Sequence, residues 1–305
     1  MRSRPSGAGR GAVLSLLIGI FLVATACAKG TTTLTSSGKK DAKIAAEVPA
    51  SIRSKGSVTV ASDASYAPME FFGPDNKTIE GADVDIGTAI GDILGLKFNF
   101  VNATFDTIIP GLQSGKFDVG ISSFFDTKDR QKKVDMIDYF QAGSGIFVPS
   151  SDQTTYTSLD QFCGKSVAAE SGTTELSDAT AASKTCQSEG KPAIKVLSFT
   201  DQNGVNLAVT SARAVAGLAD SEVAAYQTKV TNGKLRFGGE YAKPVLYGMA
   251  IPRPTGSAPG SGPLTKAISD ALTKLIADGT YGTILAKWGI QAGALTTITV
   301  NGATS

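Results

Sequence analysis

Beyond residue 56 the chain alternates between two hydrophobic rhythms. Residues 57–61, SVTVA, are a β-branched run after a Lys-Gly turn, and residues 97–101, KFNFV, alternate as a strand does. Between them, residues 83–94, DVDIGTAIGDIL, place apolar side chains at helical spacing. A helix over 107–112 and a strand over 117–121 follow. The second half repeats the scheme: strand 165–169, helix 174–183, strand 194–199, helix 205–211, strand 214–219. Strand–helix alternation of this kind implies parallel pairing, so the pattern predicts an α/β fold in two lobes. Residues 263–288 predict an amphipathic helix pair broken at Asp278-Gly279, with Pro263 opening it and Gly289 following it. Residues 292–305 read as a disordered tail.

The first rhythm of the chain is different. Arg2, Arg4 and Arg10 precede residues 11–26, GAVLSLLIGIFLVATA, which are apolar or small. A basic segment followed by about 16 apolar residues is too short for a membrane span, which needs about 20, and reads as an export signal over 1–26. The run ends Ala24-Thr25-Ala26-Cys27, and small residues before a cysteine are similar to a lipobox, in which Cys27 carries lipid and anchors the protein on the outer face of the membrane. The alternative is plain secretion, with Cys27 an incidental thiol. Residues 27–51, rich in Thr, Ser, Lys and Ala, then read as a flexible tether. In an exported, oxidising setting Cys163 and Cys186 are expected to pair, closing a loop of about 23 residues worth roughly 3 kcal/mol. Two buried thiols are the alternative.

Residues 114–123, SGKFDVGISS, have a weak echo in residues 211–220, SARAVAGLAD. Each is a helix end, a basic residue, a buried strand and then polar residues at the strand's carboxyl end. Ligands bind at that end in open α/β sheets, so two such ends facing one another would form a cleft.

Composition narrows the chemistry. The 305 residues contain no histidine, which excludes Ser-His-Asp and Cys-His catalysis and most catalytic zinc sites. Lys and Arg total 29 against 27 Asp and Glu, a balance that argues against a nucleic-acid partner. No phosphate loop, dinucleotide fingerprint or EF-hand is present, so neither cofactor nor metal is expected.

Six segments occur in a telling order. Residues 63–72 read DASYAPMEFF, 79–86 IEGADVDI, and 104–140 TFDTIIPGLQSGKFDVGISSFFDTKDRQKKVDMIDYF. Further on come ESGTTE at 170–175, GLADSEVAAY at 217–226 and DGTYGTILAKWG at the C-terminal helix pair. Together they resemble the solute-binding proteins of ABC importers, specifically the polar amino-acid group, over roughly residues 52–290. The resemblance implies a two-lobed periplasmic-binding-protein-like fold that closes on ligand about a hinge. Lobe one would be residues 52–147 plus 248–291 and lobe two 148–247, with crossings near 145–149 and 244–249.

A free amino acid presents a carboxylate and an ammonium, and burying either unpaired costs several kcal/mol. Arg130 is the carboxylate candidate, because its planar fork binds carboxylate bidentately; read without the resemblance, it is a surface arginine in the run KDRQKK. Ser122, Ser123 and Phe125 belong to the turn before it and offer backbone or hydroxyl donors to the same group. Thr173 and Thr174 follow Gly172 at a strand-to-helix turn, where amides gather an anion. Asp220, at the end of a buried strand, is the ammonium candidate or else a helix cap. Asp63 and Tyr66 line the pocket by the resemblance, Tyr66 as an aromatic wall; the alternative for Tyr66 is core packing. By the resemblance, relatives carry a bulky residue where this chain has Ala82, which leaves that wall open to a larger ligand side chain or to cover by Phe71 or Phe72. Phe125 stands where a small hydroxyl residue is usual. Glu170 matches a position facing the ligand's side chain and would favour a cationic or amide group there; a solvated rim glutamate is the alternative. Gln202 is a weaker candidate.

These residues point to a lipid-anchored, monomeric receptor that captures a free amino acid and delivers it to an ABC permease. A sensor reporting to a membrane signalling partner would use the same pocket. An enzyme on the same fold, like the cyclohexadienyl dehydratase-like members, would have to use Glu170 as its general acid.

Overall fold

A computed structural model describes residues 39–303. The export signal, Cys27 and the first part of the expected tether lie outside the described residues. Among those described, no helix is long and apolar enough to cross a membrane.

The chain opens with two short helices, α1 (Ala42–Glu47) and α2 (Ala50–Lys55), and enters strand β1 (Ser57–Ser62). A small antiparallel sheet follows, made of β2 (Ser65–Tyr66), β3 (Glu70–Phe72) and β4 (Ile79–Glu80). Next come α3 (Ala82–Leu94), β5 (Lys97–Asn102), α4 (Phe105–Gln113), β6 (Val119–Gly120) and the single turn α5 (Lys128–Gln131). The long strand β7 (Val134–Pro149) leads to β8 (Ser166–Glu170), α6 (Thr174–Ser188), β9 (Lys195–Phe199), α7 (Gln202–Thr210), β10 (Ala216–Asp220) and α8 (Ser221–Val230). The equally long β11 (Leu235–Pro252) returns, and α9 (Pro263–Ala277) and α10 (Thr280–Trp288) close the fold.

The main sheet runs β5-β1-β6-β11-β7-β10-β8-β9. The outer strands are parallel: β1 with β5 and β6, and β8 with β9 and β10. The antiparallel pair β7 and β11 spans both lobes and joins them. The first lobe packs α3 against β5 and α9, because Ile86, Ala89, Ile90, Ile93 and Leu94 share one helix face and are buried. The second has its own core of Ile146, Val148, Phe162, Val167 and Leu218. Cys163 and Cys186 form a disulfide there, with Cα atoms 5.8 Å apart, tying the segment before β8 to the end of α6.

Three expectations are corrected. The first crossing comes earlier than 145–149: Ser144–Phe147 already pair with β10, so the chain has entered the second lobe by Ser144. On the return strand, Tyr247–Pro252 pair with the first-lobe end of β7, and the register slips between Ala242 and Val245. The second half of the expected tether is folded. Asp41 caps α1 and donates its N–H to the Ile93 carbonyl at 2.9 Å, while Ala45 and Val48 are buried. The expected tail is also ordered as far as Ala303. One edge of β7 is unpaired before Ser144, and residues 294–303 cover it through bridges Ala294–Phe140 and Val300–Ile137 and a bond from Asn301 N–H to the Met136 carbonyl. An exposed edge of unpaired N–H and C=O groups favours such cover.

Candidate ligand-binding cleft

The cleft forms where strand ends from both lobes meet. Asp63 follows β1, Ser122 and Ser123 follow β6, and Glu170 and Asp220 end β8 and β10. They line one cleft together with Tyr66, Glu70, Phe105, Phe125, Arg130, Thr173, Thr174 and Glu175. Of the eleven residues proposed from sequence, ten therefore converge there. Phe71 does not. Successive side chains on a strand point to opposite faces, so β3 turns Glu70 into the cavity and sends Phe71 outward, edge-on against Trp288 at 5.7 Å. Ala82 is buried at the first turn of α3, and Phe72 stays exposed, so neither Phe71 nor Phe72 walls this cavity.

Arg130 is placed by a local device. Thr127 caps α5 by accepting from Arg130 N–H, and the half-buried guanidinium donates from Nη1 to the Phe125 carbonyl at 2.8 Å. It rests on a shelf formed by Phe105 and Phe124, which stack at 4.6 Å, with Cζ 5.3 and 5.2 Å from their centres. Burial draws its pKa down, opposed by the carboxylates of Glu175 and Asp220.

The other wall is anchored at the start of α6. Gly172 adopts φ +80°, and its backbone approaches Asp106 so closely that a Cβ would stand 2.7 Å from the Asp106 Cβ. Thr173 caps α6 through Leu176 N–H, and its hydroxyl donates to the Glu170 carbonyl at 2.7 Å. The lobes touch directly: Ser171 Oγ donates to Asp106 Oδ2 at 2.9 Å, Gln202 N–H to Ser65 Oγ at 3.0 Å, and Asp220 N–H to the Tyr66 hydroxyl at 2.9 Å. Gln202 itself is buried but does not line the cavity.

The cavity is acidic. Asp63 accepts from Ser65 Oγ at 2.6 Å and Phe105 N–H at 3.1 Å, yet burial still raises its pKa. Asp220 Oδ2 accepts from the Tyr247 hydroxyl; burial and then the neighbouring Glu175 push its pKa well up. At the floor, Glu70 accepts from Ser122 Oγ at 2.8 Å, and behind it Asp83 accepts from Tyr139 Oη at 2.7 Å and Ser123 N–H at 3.0 Å. Burial and the Asp83 charge drive the Glu70 pKa up. Glu170 stands out. It is 2% exposed, its Oε1 has no hydrogen-bond partner among the described residues, and burial followed by the charges of Asp63 and Asp201 pushes its pKa up to about 10.

Sequence reasoning missed Glu70, Phe105 and Glu175. Glu70 was legible in the alternation of Met69-Glu70-Phe71. Glu175 reads as an ordinary first-turn acid of a helix, and only the fold turns it into the cavity.

Comparison with known proteins agrees with this architecture. The family model for bacterial extracellular solute-binding proteins, family 3, matches residues 58–291. The arginine-binding protein ArgT of Corynebacterium glutamicum is 31% identical over 260 residues, covering 85% of this chain and 83% of that protein. The L-cystine-binding protein TcyA of Bacillus subtilis is 26% identical over 280 residues, covering 91% and 96%. An ancestral arginine-binding protein solved with arginine superposes with a TM-score of 0.67 at 32% identity, over 76% of this chain and 98% of the other. The chain belongs to the bacterial extracellular solute-binding proteins of family 3.

Proposed function

We propose that this protein is an exported, lipid-anchored receptor that captures a free amino acid with a cationic side chain and passes it to an ABC permease. The observation that carries the choice of ligand is Glu170, a buried carboxyl with an oxygen that none of the described residues satisfies, lining with Asp63 a cleft that holds one arginine. A cationic side-chain end supplies the missing donor and charge. A ligand carboxylate there would face two acids and lose several kcal/mol. The arginine-binding proteins among the relatives support the same choice.

The remaining roles follow from charge and reach. Arg130, with the donors of Thr173, Thr174 and the turn Ser122–Ser123, receives the α-carboxylate. Asp220 receives the α-ammonium, and Tyr66 and Phe125 wall the aliphatic stem. Closure about β7 and β11 buries the ligand, and a permease then distinguishes loaded from empty receptor. Lipid on Cys27 keeps the monomer at the membrane.

A thermal-shift screen of the chain from residue 28, stripped of co-purified ligand, against the twenty amino acids tests the ligand. A ligand that binds only the native state raises the midpoint. Arginine, lysine or ornithine should give the largest shift, and Glu170→Gln should lower their advantage over glutamine. A shift with glutamate alone would overturn the reading. Incorporation of labelled fatty acid that is lost in Cys27→Ala tests the anchor.

A further inference from the structure

We propose that Ser65 is a positioning residue for the ligand's side chain: as the lobes close, its hydroxyl accepts the first amide of α7 and fixes Asp63, an acid that meets the cationic end. The inference rests on the reading of the cleft as a site for a basic amino acid.

A short chain of hydrogen bonds crosses between the lobes. Gln202 N–H, from the second lobe, donates to Ser65 Oγ at 3.0 Å. Ser65 Oγ, on β2 of the first lobe, donates in turn to Asp63 Oδ1 at 2.6 Å. Phe105 N–H donates to the other Asp63 oxygen at 3.1 Å. Asp63 is buried and lines the same cleft as Glu170. Ser65 is not among the residues that line the cleft, so it acts on a ligand there through Asp63.

The donors leave little choice of partner. A serine hydroxyl carries a single hydrogen, and Ser65 gives it to Asp63, leaving its lone pairs for the other lobe. The Gln202 amide is the first of α7, where a helix offers no carbonyl of its own. Asp201 caps Gly204 N–H instead. Among the described residues Ser65 Oγ is therefore the acceptor for this amide, and it serves only with the lobes together. With the lobes apart, the hydroxyl is free to turn to water and Asp63 loses the Ser65 donor. With them together, a hydroxyl that accepts one bond donates the next more strongly. Burial disfavours the Asp63 charge, and the Ser65 bond opposes that effect. Closure thus completes the setting of a carboxylate that receives the cationic end.

Calorimetric titration of the chain from residue 28, stripped of co-purified ligand, tests the link with L-arginine as the probe. Ser65→Ala should weaken binding about ten-fold in the natural chain, but less than about three-fold in an Asp63→Asn background. Ser65→Thr keeps the hydroxyl and should bind within about three-fold of wild type. Ser65 also lines an open recess with Asn102, Thr104 and Asp201, which leaves room for the added methyl group. Hydrogen exchange at saturating arginine reads the other end of the chain. The Gln202 amide should exchange at least about ten-fold faster in Ser65→Ala than in wild type, a change that a residue merely filling space would not produce. Equal losses in the two backgrounds, or an unchanged Gln202 amide, would overturn the inference alone. No binding of arginine, lysine or ornithine to wild type would overturn the basic amino-acid reading and this inference with it.

Discussion

Arg130 Nη2 donates to the carbonyl of Gly172 across the cleft at 3.2 Å, while Nη1 holds Phe125 in its own lobe. One side chain thus touches both walls and is positioned to sense whether they have met.

Replacing Arg130 by alanine removes both bonds and the cation proposed for the α-carboxylate. A charge-assisted hydrogen bond is worth about 1.5–3 kcal/mol, so two lost to a ligand should weaken binding by at least about 100-fold. Circular dichroism should be unchanged, because the guanidinium is half-buried and belongs to no core. Arg130→Lys keeps the charge but not the fork and should recover only part of the affinity. Calorimetry that finds alanine equal to wild type would remove Arg130 from the site.

Gly172 is the partner in that contact, and it has no room for a side chain. Its φ of +80° disfavours other residues, and an added Cβ would press on Asp106. Gly172→Ala should push the walls apart and break the Ser171–Asp106 bond. Binding should weaken by about ten-fold or more, and small-angle scattering with saturating ligand should show a larger radius of gyration than wild type. A ligand-bound radius equal to wild type would show that closure tolerates the methyl group.

Much of this was legible in the sequence, for identifiable reasons. The helices and the outer parallel strands announce themselves by period: α3, α9 and α10 fall within a residue or so of the predicted spans. The strand β7 did not. Its sixteen residues are almost all buried, paired along both edges and packed upon by helices such as α8 and α9, and a strand buried on both faces has no alternation to read. Its Gly143 and Gly145 look like turn residues. The C-terminal segment was misread for a related reason: Thr297–Thr299 and Asn301–Gly302 have the composition of a loop, and their order comes from an open edge elsewhere in the chain. In the cleft, residues at strand ends were readable from position alone. Glu175 was not, because nothing in a Thr-Thr-Glu helix start says that Ser144, thirty-one residues earlier, will hold it.

Glu170 should make the ligand-free protein sensitive to pH. Its folded pKa, about 10, lies above the ordinary value of 4.5. The neutral form is favoured in the native state, so its contribution is full below about 4.5 and is lost as pH rises towards 10. Within that window the loss is at most about 1.4 kcal/mol per pH unit. The melting temperature of the ligand-free protein should therefore fall between pH 5 and 9, and Glu170→Gln should flatten the fall and be the more stable protein at pH 8. A cationic ligand should flatten it too, by supplying charge to the ionised carboxylate. Parallel pH profiles for wild type and variant would mean that water reaches Glu170 freely.

The C-terminal segment offers a second, separate pH response. Asp138 on β7 accepts from Thr299 Oγ1 and from Gly302 N–H at 3.0 Å, and Asp126, in the turn that leads to Arg130, accepts from Ala303 N–H at 3.0 Å. Burial, aided by the charge of Asp126, pushes the Asp138 pKa up to about 7. Release of the segment would expose Asp138 to water and return it towards 3.8. The docked state therefore prefers the proton, and docking weakens as pH rises from about 4 through 7. Hydrogen exchange at Gly302 and Ala303, corrected for intrinsic rates, should show protection falling from pH 6 to 8. Asp138→Asn, which cannot ionise, should hold protection constant. Truncation after Gly293 should lower the melting temperature by a few degrees, since it strips the edge of β7 from Met136 to Phe140, and should weaken ligand binding modestly through the loosened Asp126 turn. Unchanged melting and unchanged affinity after truncation would mean that the segment covers the edge without bearing on the cleft.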